Sequence, residues 1–153
     1  LYYLGKACSK TLWKEKGVEY LEDAISLAFP KDSVVARLYD GLADCCREAG
    51  ETRKQIKALM QQYKYAPQAH NLLYKAAFAS YYHLKDMDET EKYLEAYLKT
   101  RPQDSKNKPQ EMTEDGDIVL NEDNRYNAAE AWLNDLRKRK KVENFFQGSQ
   151  KGK

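Results

Sequence analysis

Apolar residues in this chain fall at helical intervals, three and four apart, in runs of one to two dozen residues separated by short polar breaks. The stretch EAGETRKQIKALMQQYKYAP, residues 48–67, shows the unit. It opens with a turn at Gly50–Glu51, buries a line through Ile56, Leu59 and Tyr63, and stops at Pro67, which cannot continue a helix. The pattern predicts helices near residues 1–12, 15–29, 34–49, 52–65, 70–84 and 88–100. A further amphipathic segment follows, with Asn124 as a candidate cap and Tyr126, Ala129, Trp132, Leu133 and Leu136 on one apolar stripe. It predicts a capping helix over 124–146, then a disordered tail over 147–153.

The pattern repeats. Laying Pro67 over Pro102 also aligns Leu59 with Leu94, Tyr39 with Tyr74, Cys46 with Tyr81 and Glu51 with Asp86, a period of 35 residues. An earlier copy matches Leu4 to Leu42, Gly5 to Ala43, Cys8 to Cys46 and Leu21 to Leu59 at a spacing of 38. Each copy breaks into two helices at a short turn, so the repeat is a helical hairpin. A hairpin of this size cannot bury its apolar face alone, and neighbours must stack. The expected fold is therefore all-α, a right-handed α-solenoid of about three repeats, near 1–30, 34–67 and 70–102, plus the capping helix. Residues 103–123, polar and interrupted by Pro109 and Gly116, are expected as an acidic flexible loop.

These residues resemble the tetratricopeptide repeat family. The resemblance is carried by Leu4, Gly5, Ala24 and Pro30 in the first copy, and by Tyr39, Leu42, Ala43, Gly50, Leu59 and Pro67 in the second. In the third it is carried by Tyr74, Tyr81, Asp86, Leu94 and Pro102, and it covers residues 1–102. Where the family places a small residue in the second helix, this chain has Gly17, then Gln55 and Gln62, then Thr90 and Tyr97, so looser helix packing is expected there. The resemblance implies a groove lined by the first helix of each repeat. Its exposed positions here are Tyr2, Lys6 and Ser9; Arg37, Asp40, Asp44 and Arg47; and Leu72, Lys75, Ala79 and Tyr82. The Lys and Asn arrangement by which some relatives clamp a peptide carboxylate is missing, and Asp40 and Asp44 would repel one.

Composition narrows the function classes. With 153 residues, 42% hydrophobic and 33% charged, the chain fits one folded unit, and no apolar run approaches the ~20 residues of a membrane span. The chain opens without an initiator Met, already in a helical pattern, and is expected to be the C-terminal part of a longer protein. Net charge is only +2, but residues 103–123 carry −5 and residues 136–153 carry +6. Three cysteines, two of them adjacent at Cys45–Cys46, argue for buried thiols rather than a disulfide framework, which is compatible with the cytoplasm without assigning a compartment.

No catalytic constellation emerges. His70 and His83 have no Ser or Cys at a useful spacing, and the acids of DMDETE and TEDGDIVLNED lack the ligand order of a calcium loop, so no cofactor or metal is expected. Most of the twelve tyrosines fall where a bulky core residue is wanted, and the RKRKK run at 137–141 reads as a helix end complementing its dipole. The expectation is a non-enzymatic module that binds a partner peptide or helix and scaffolds a complex. The alternative is self-assembly, by packing with upstream repeats or a second copy. An RNA-reading helical repeat of similar period is disfavoured by three copies and near-neutral charge.

Overall fold

The computed structural model describes residues 1–27, 32–103 and 122–150, with side chains in the last stretch described to Glu143 and at Phe145. Every regular element among them is helical, and the chain is all-α. It divides into two compact units, Leu1–Asp86 and Met87–Lys153. The boundary falls within the span 70–102 read from the sequence as the third repeat. Pro30, most of the acidic segment 103–123 and the tail end 151–153 lie outside the described residues.

The first unit contains α1 (Tyr2–Cys8), α2 (Lys14–Leu27), α3 (Asp32–Glu48), α4 (Thr52–Tyr65) and α5 (Asn71–Ala79), which continues into one π-helical turn, Ser80–Leu84. Each helix packs on its sequence neighbour, and α1 also packs on α3. The first helix is shorter than the expected 1–12 because hydroxyl groups take its last carbonyls. Ser9 Oγ donates to the Lys6 carbonyl at 2.8 Å and Thr11 Oγ1 to the Cys8 carbonyl at 2.9 Å. Leu12 and Trp13 are left outside the helix and exposed.

At the α1–α2 crossing the expectation of looser packing is overturned. A Cβ on Gly17 would lie 3.0 Å from the Gly5 carbonyl and 3.1 Å from Cys8 Cβ, and one on Gly5 would lie 2.6 Å from Leu21 Cγ. The two glycines let the backbones approach, and the Cys45 thiol of α3 closes the site by donating to the Gly5 carbonyl at 3.4 Å.

The α3–α4 turn follows from Gly50. With φ +76 it occupies the left-handed region, its N–H reaches the Arg47 carbonyl at 3.1 Å, and the Glu51 N–H reaches the Cys46 carbonyl at 2.8 Å. This is the paired bonding of a Schellman cap. The next stop is Pro67, which forces Ala66 out of helical geometry, to φ −139 and ψ 66. These two signals give α4 the same bounds, 52–65, as the sequence pattern predicts.

The second unit contains α6 (Met87–Lys99) and α7 (Glu122–Gln150), which pack together. The predicted stripe is buried at Tyr126, Ala129, Leu133 and Leu136, and Tyr126 stacks on Tyr97 with ring centroids 4.5 Å apart. Arg101, also buried, donates to Asn127 Oδ1 at 2.6 Å and Glu130 Oε2 at 3.1 Å. The last helix is longer than the expected 124–146: residues 147–150, expected as disordered tail, are helical. The RKRKK run therefore sits in mid-helix, where no dipole end exists to complement. Two of its members turn to α6 instead. Arg137 pairs with Glu91 at 2.7 Å and with Glu95, and Lys140 pairs with Asp88 at 2.6 Å and Glu91 at 2.5 Å.

Candidate functional site

Helices α3 and α5 both pack on α4, and the space between them is a cavity of about 340 Å³ within the first unit. That volume lies in the range of small-ligand and side-chain pockets. One wall is α3, with Asp40, Ala43, Asp44 and Arg47 at helical spacing. The other is α5 and the π turn, with Tyr74, Lys75, Phe78, Ala79 and His83. Gln55 and Leu59 of α4 contribute to the lining between them.

The lining sorts by depth. Ala43, Leu59 and Ala79 are buried and apolar, while Arg47, Lys75, Phe78 and His83 are exposed. Gln55, a polar residue only 8% exposed, lies with the buried lining residues.

The charges on the α3 wall are largely spent on one another. Asp44 pairs with Arg47 at 3.2 Å, and Lys6 of α1 reaches both Asp40 and Asp44 at 3.9 Å. Asp40 also accepts from Gln62 Nε2 at 3.2 Å, and Arg47 donates to Glu48, holding that carboxyl below its ordinary pKa. Lys75 on the opposite wall has no ion-pair partner among the described residues.

Of the residues expected in the groove, the structure brings Asp40, Asp44, Arg47, Lys75 and Ala79 to the cavity. Tyr2 and Lys6 lie beside it on α1, Tyr2 against Gly41 and Lys6 on the two aspartates. Arg37 is exposed, and Tyr82 packs its ring 4.3 Å from Phe78, but neither lines the cavity. Two expectations are corrected. Ser9 is 4% exposed, its hydroxyl turned back on α1, and Leu72 is 2% exposed, because the face of α5 that packs inward includes it. The expected groove set did not include Gln55, Tyr74 or Phe78, which also line the cavity, as does His83. Gln55 stands out only as a polar residue at a packed position, and Phe78 reads as core until the exposed line through Lys75, Phe78 and Tyr82 is seen.

Other reactive groups are enclosed. Cys8, Cys45 and Cys46 are free and buried, and burial pushes the Cys46 thiol up to about 12. His70 is half-buried, edge-on to the Tyr63 ring at 6.5 Å. Among the described residues no cluster of three or more His, Cys, Asp or Glu side chains is placed to hold a metal ion, and no helix is long and apolar enough to cross a membrane. Comparison of the chain with family models, with curated proteins and with solved structures finds no match.

Proposed function

We propose that this chain is a non-catalytic protein-interaction module built of tetratricopeptide-like helical hairpins in a right-handed solenoid. Its α3–α5 groove receives a segment of a partner protein and so scaffolds a complex. The observation that carries the reading is the cavity: an apolar floor with a ring of exposed charged and aromatic side chains. Sequential packing of the helices in the first unit, with α1 returning onto α3, supports the hairpin stacking on which the solenoid depends. Recognition through such a groove needs no catalytic group, only complementary shape and charge.

The test is selection of peptides from a displayed library on the immobilised protein, followed by affinity measurement against groove variants. The double change Asp44→Lys with Lys75→Glu should weaken selected peptides at least tenfold. Lys138→Glu, on the exposed side of α7, should leave them unchanged. Failure to enrich any peptide, or loss of binding only with Lys138→Glu, would refute the reading.

A second reading, self-association of two copies, is favoured by one observation: Tyr3, Leu12 and Trp13 are 82%, 100% and 64% exposed at the α1 end of the first unit. Light-scattering mass across a dilution series separates the readings, since a dimer that persists and is dispersed by Trp13→Ser belongs to the second.

A further inference from the structure

We propose that Cys8 of α1 and Cys45 of α3 form a paired modification site, at which hydrogen peroxide joins them in a disulfide that clips the first helix of the unit to the third. The glycines of the α1–α2 crossing bring the pair together. The point where a Gly17 side chain would begin lies 3.1 Å from Cys8 Cβ, 3.3 Å from Cys45 Sγ and 3.0 Å from the Gly5 carbonyl, so both cysteines border one small space. The Cys45 thiol donates to that same Gly5 carbonyl at 3.4 Å and already rests on α1. Gly17 puts no side chain between the two, and each cysteine has one torsion, χ1, with which to bring its sulfur to the other.

Cys46 is the internal comparison. It follows Cys45 directly and so points about 100° further round α3. The carboxylate that acts on it is Glu51, at the head of α4, and it is not among the groups that border the Gly17 space.

Access decides the order of events. Cys8 is 9% exposed, whereas Cys45 and Cys46 are fully enclosed. Cys8 is also the last residue of a seven-residue helix, and the chain beyond it runs out to the exposed Leu12 and Trp13. A helix end of this kind opens at a lower free energy than the unit as a whole, so the peroxide meets Cys8 first. Burial raises the Cys45 thiol above its ordinary pKa and keeps it from starting the reaction. Held beside an oxidised Cys8, it needs only proximity to finish it.

In the first step the Cys8 sulfur attacks one peroxide oxygen and the O–O bond breaks. The thiol proton leaves with the departing oxygen as water, and Cys8 becomes a sulfenic acid. In the second the Cys45 sulfur attacks the Cys8 sulfur, the S–O bond breaks, and the hydroxyl departs with the Cys45 proton as a second water. Two thiols together lose two electrons and one peroxide gains them. The bridge constrains the unfolded chain between positions 8 and 45 and holds α1 in place. Lys6, two residues before Cys8, is thereby kept on Asp40 and Asp44 at the α3 wall.

The experiment treats the reduced full chain with excess hydrogen peroxide, alkylates the remaining thiols in denaturant and maps tryptic peptides by mass spectrometry without reduction. The expected product is an intramolecular link between residues 7–10 and 38–47, with fragment ions placing it on Cys45 and the alkyl group on Cys46. The oxidised protein should melt on the order of 10 °C above the reduced one, and dithiothreitol should reverse the shift. Cys46→Ala should form the link at the parent rate, while Cys8→Ser should leave Cys45 unoxidised, because the thiol that starts the reaction is gone. The peptide map of the parent protein decides without any variant, so poor folding of a variant does not obscure the result. A link through Cys46, a link only between molecules, overoxidation of Cys8 with Cys45 still free, or an oxidised protein that melts no higher would overturn the proposal.

Discussion

Gly5→Ala tests the packing at the α1–α2 crossing with a single methyl group. In an open helix position the exchange would stabilise by about 1 kcal/mol, because alanine restricts the unfolded chain and favours helix. Here the new Cβ would stand 2.6 Å from Leu21 Cγ and 3.1 Å from the Gly17 carbonyl. Leu21 is wholly buried and Gly17 O is main chain, so neither contact is relieved by swinging out a flexible tip. With neither neighbour free to yield, overpacking here falls at the upper end of the usual range, about 2–3 kcal/mol. Set against the helix gain, the net expectation is a loss of about 1–2 kcal/mol, or a fall of some ~2–8 °C in melting temperature for a chain of this length. Urea titration followed by circular dichroism measures it, with pulse labelling of Cys45 and Cys46 reporting specifically on opening of the first unit. The companion is Leu21→Ala, which removes the clashing atom and alone costs about 2–5 kcal/mol. In the double variant the alanine methyl occupies space the leucine has left, so the pair should be less destabilised than the sum by ~1 kcal/mol or more. A Gly5→Ala protein as stable as the parent, or strictly additive effects, would refute the close approach.

Three further outcomes are expected. Arg137→Glu sets like charges against Glu91 and Glu95, and the melting temperature of the second unit should fall at low salt and recover at high salt; no change at low salt would mean the pairs are decorative. Lys85 holds φ 57 where a side chain is strained, so Lys85→Gly should stabilise by about 0.5–1 kcal/mol, whereas Gly50→Ala at φ +76 should destabilise although no atom lies within 4 Å of the added methyl. Burial raises the Cys46 thiol from 9.0 and the Tyr93 phenol from 10.0, both to about 12. The unfolded chain then loses these protons first, so the stability they contribute is intact below 9.0 and declines as pH rises toward 12. Thermal melts across that range should show the decline, and Cys46→Ala with Tyr93→Phe should flatten it.

Where a local rule acts alone, the sequence is a sound guide. Gly50 and Pro67 each have a one-residue physical reason to end a helix, and α4 begins and ends accordingly. The stripe of α7 is equally plain, because Tyr126, Ala129, Leu133 and Leu136 share one face opposite a charged one. The groove is harder to read. On α5 the residues Leu72, Leu73, Ala76, Ala77 and Ala79 are all buried, so hydropathy does not say which side is open, and a choice one position away puts Leu72 outside and Phe78 inside. The first helix fails for a different reason: Ser9 and Thr11 bond back to the main chain, a competition that apolar spacing does not register. Gln55 was visible only as an exception to a pattern, and what makes it a site residue is the cavity around it.

The position of α3 has a kinetic consequence. It packs against α1, α2 and α4, with Gly41 and Cys45 turned to the first two and the opposite edge presenting Asp40, Asp44 and Arg47 to the cavity. Its amide hydrogens can exchange with solvent only when several neighbours part together, so they should be the slowest in the first unit and share one opening free energy. The groove wall is thus borne by the element that fluctuates least, and a bound segment would slow exchange mainly in α5, the wall with fewer attachments.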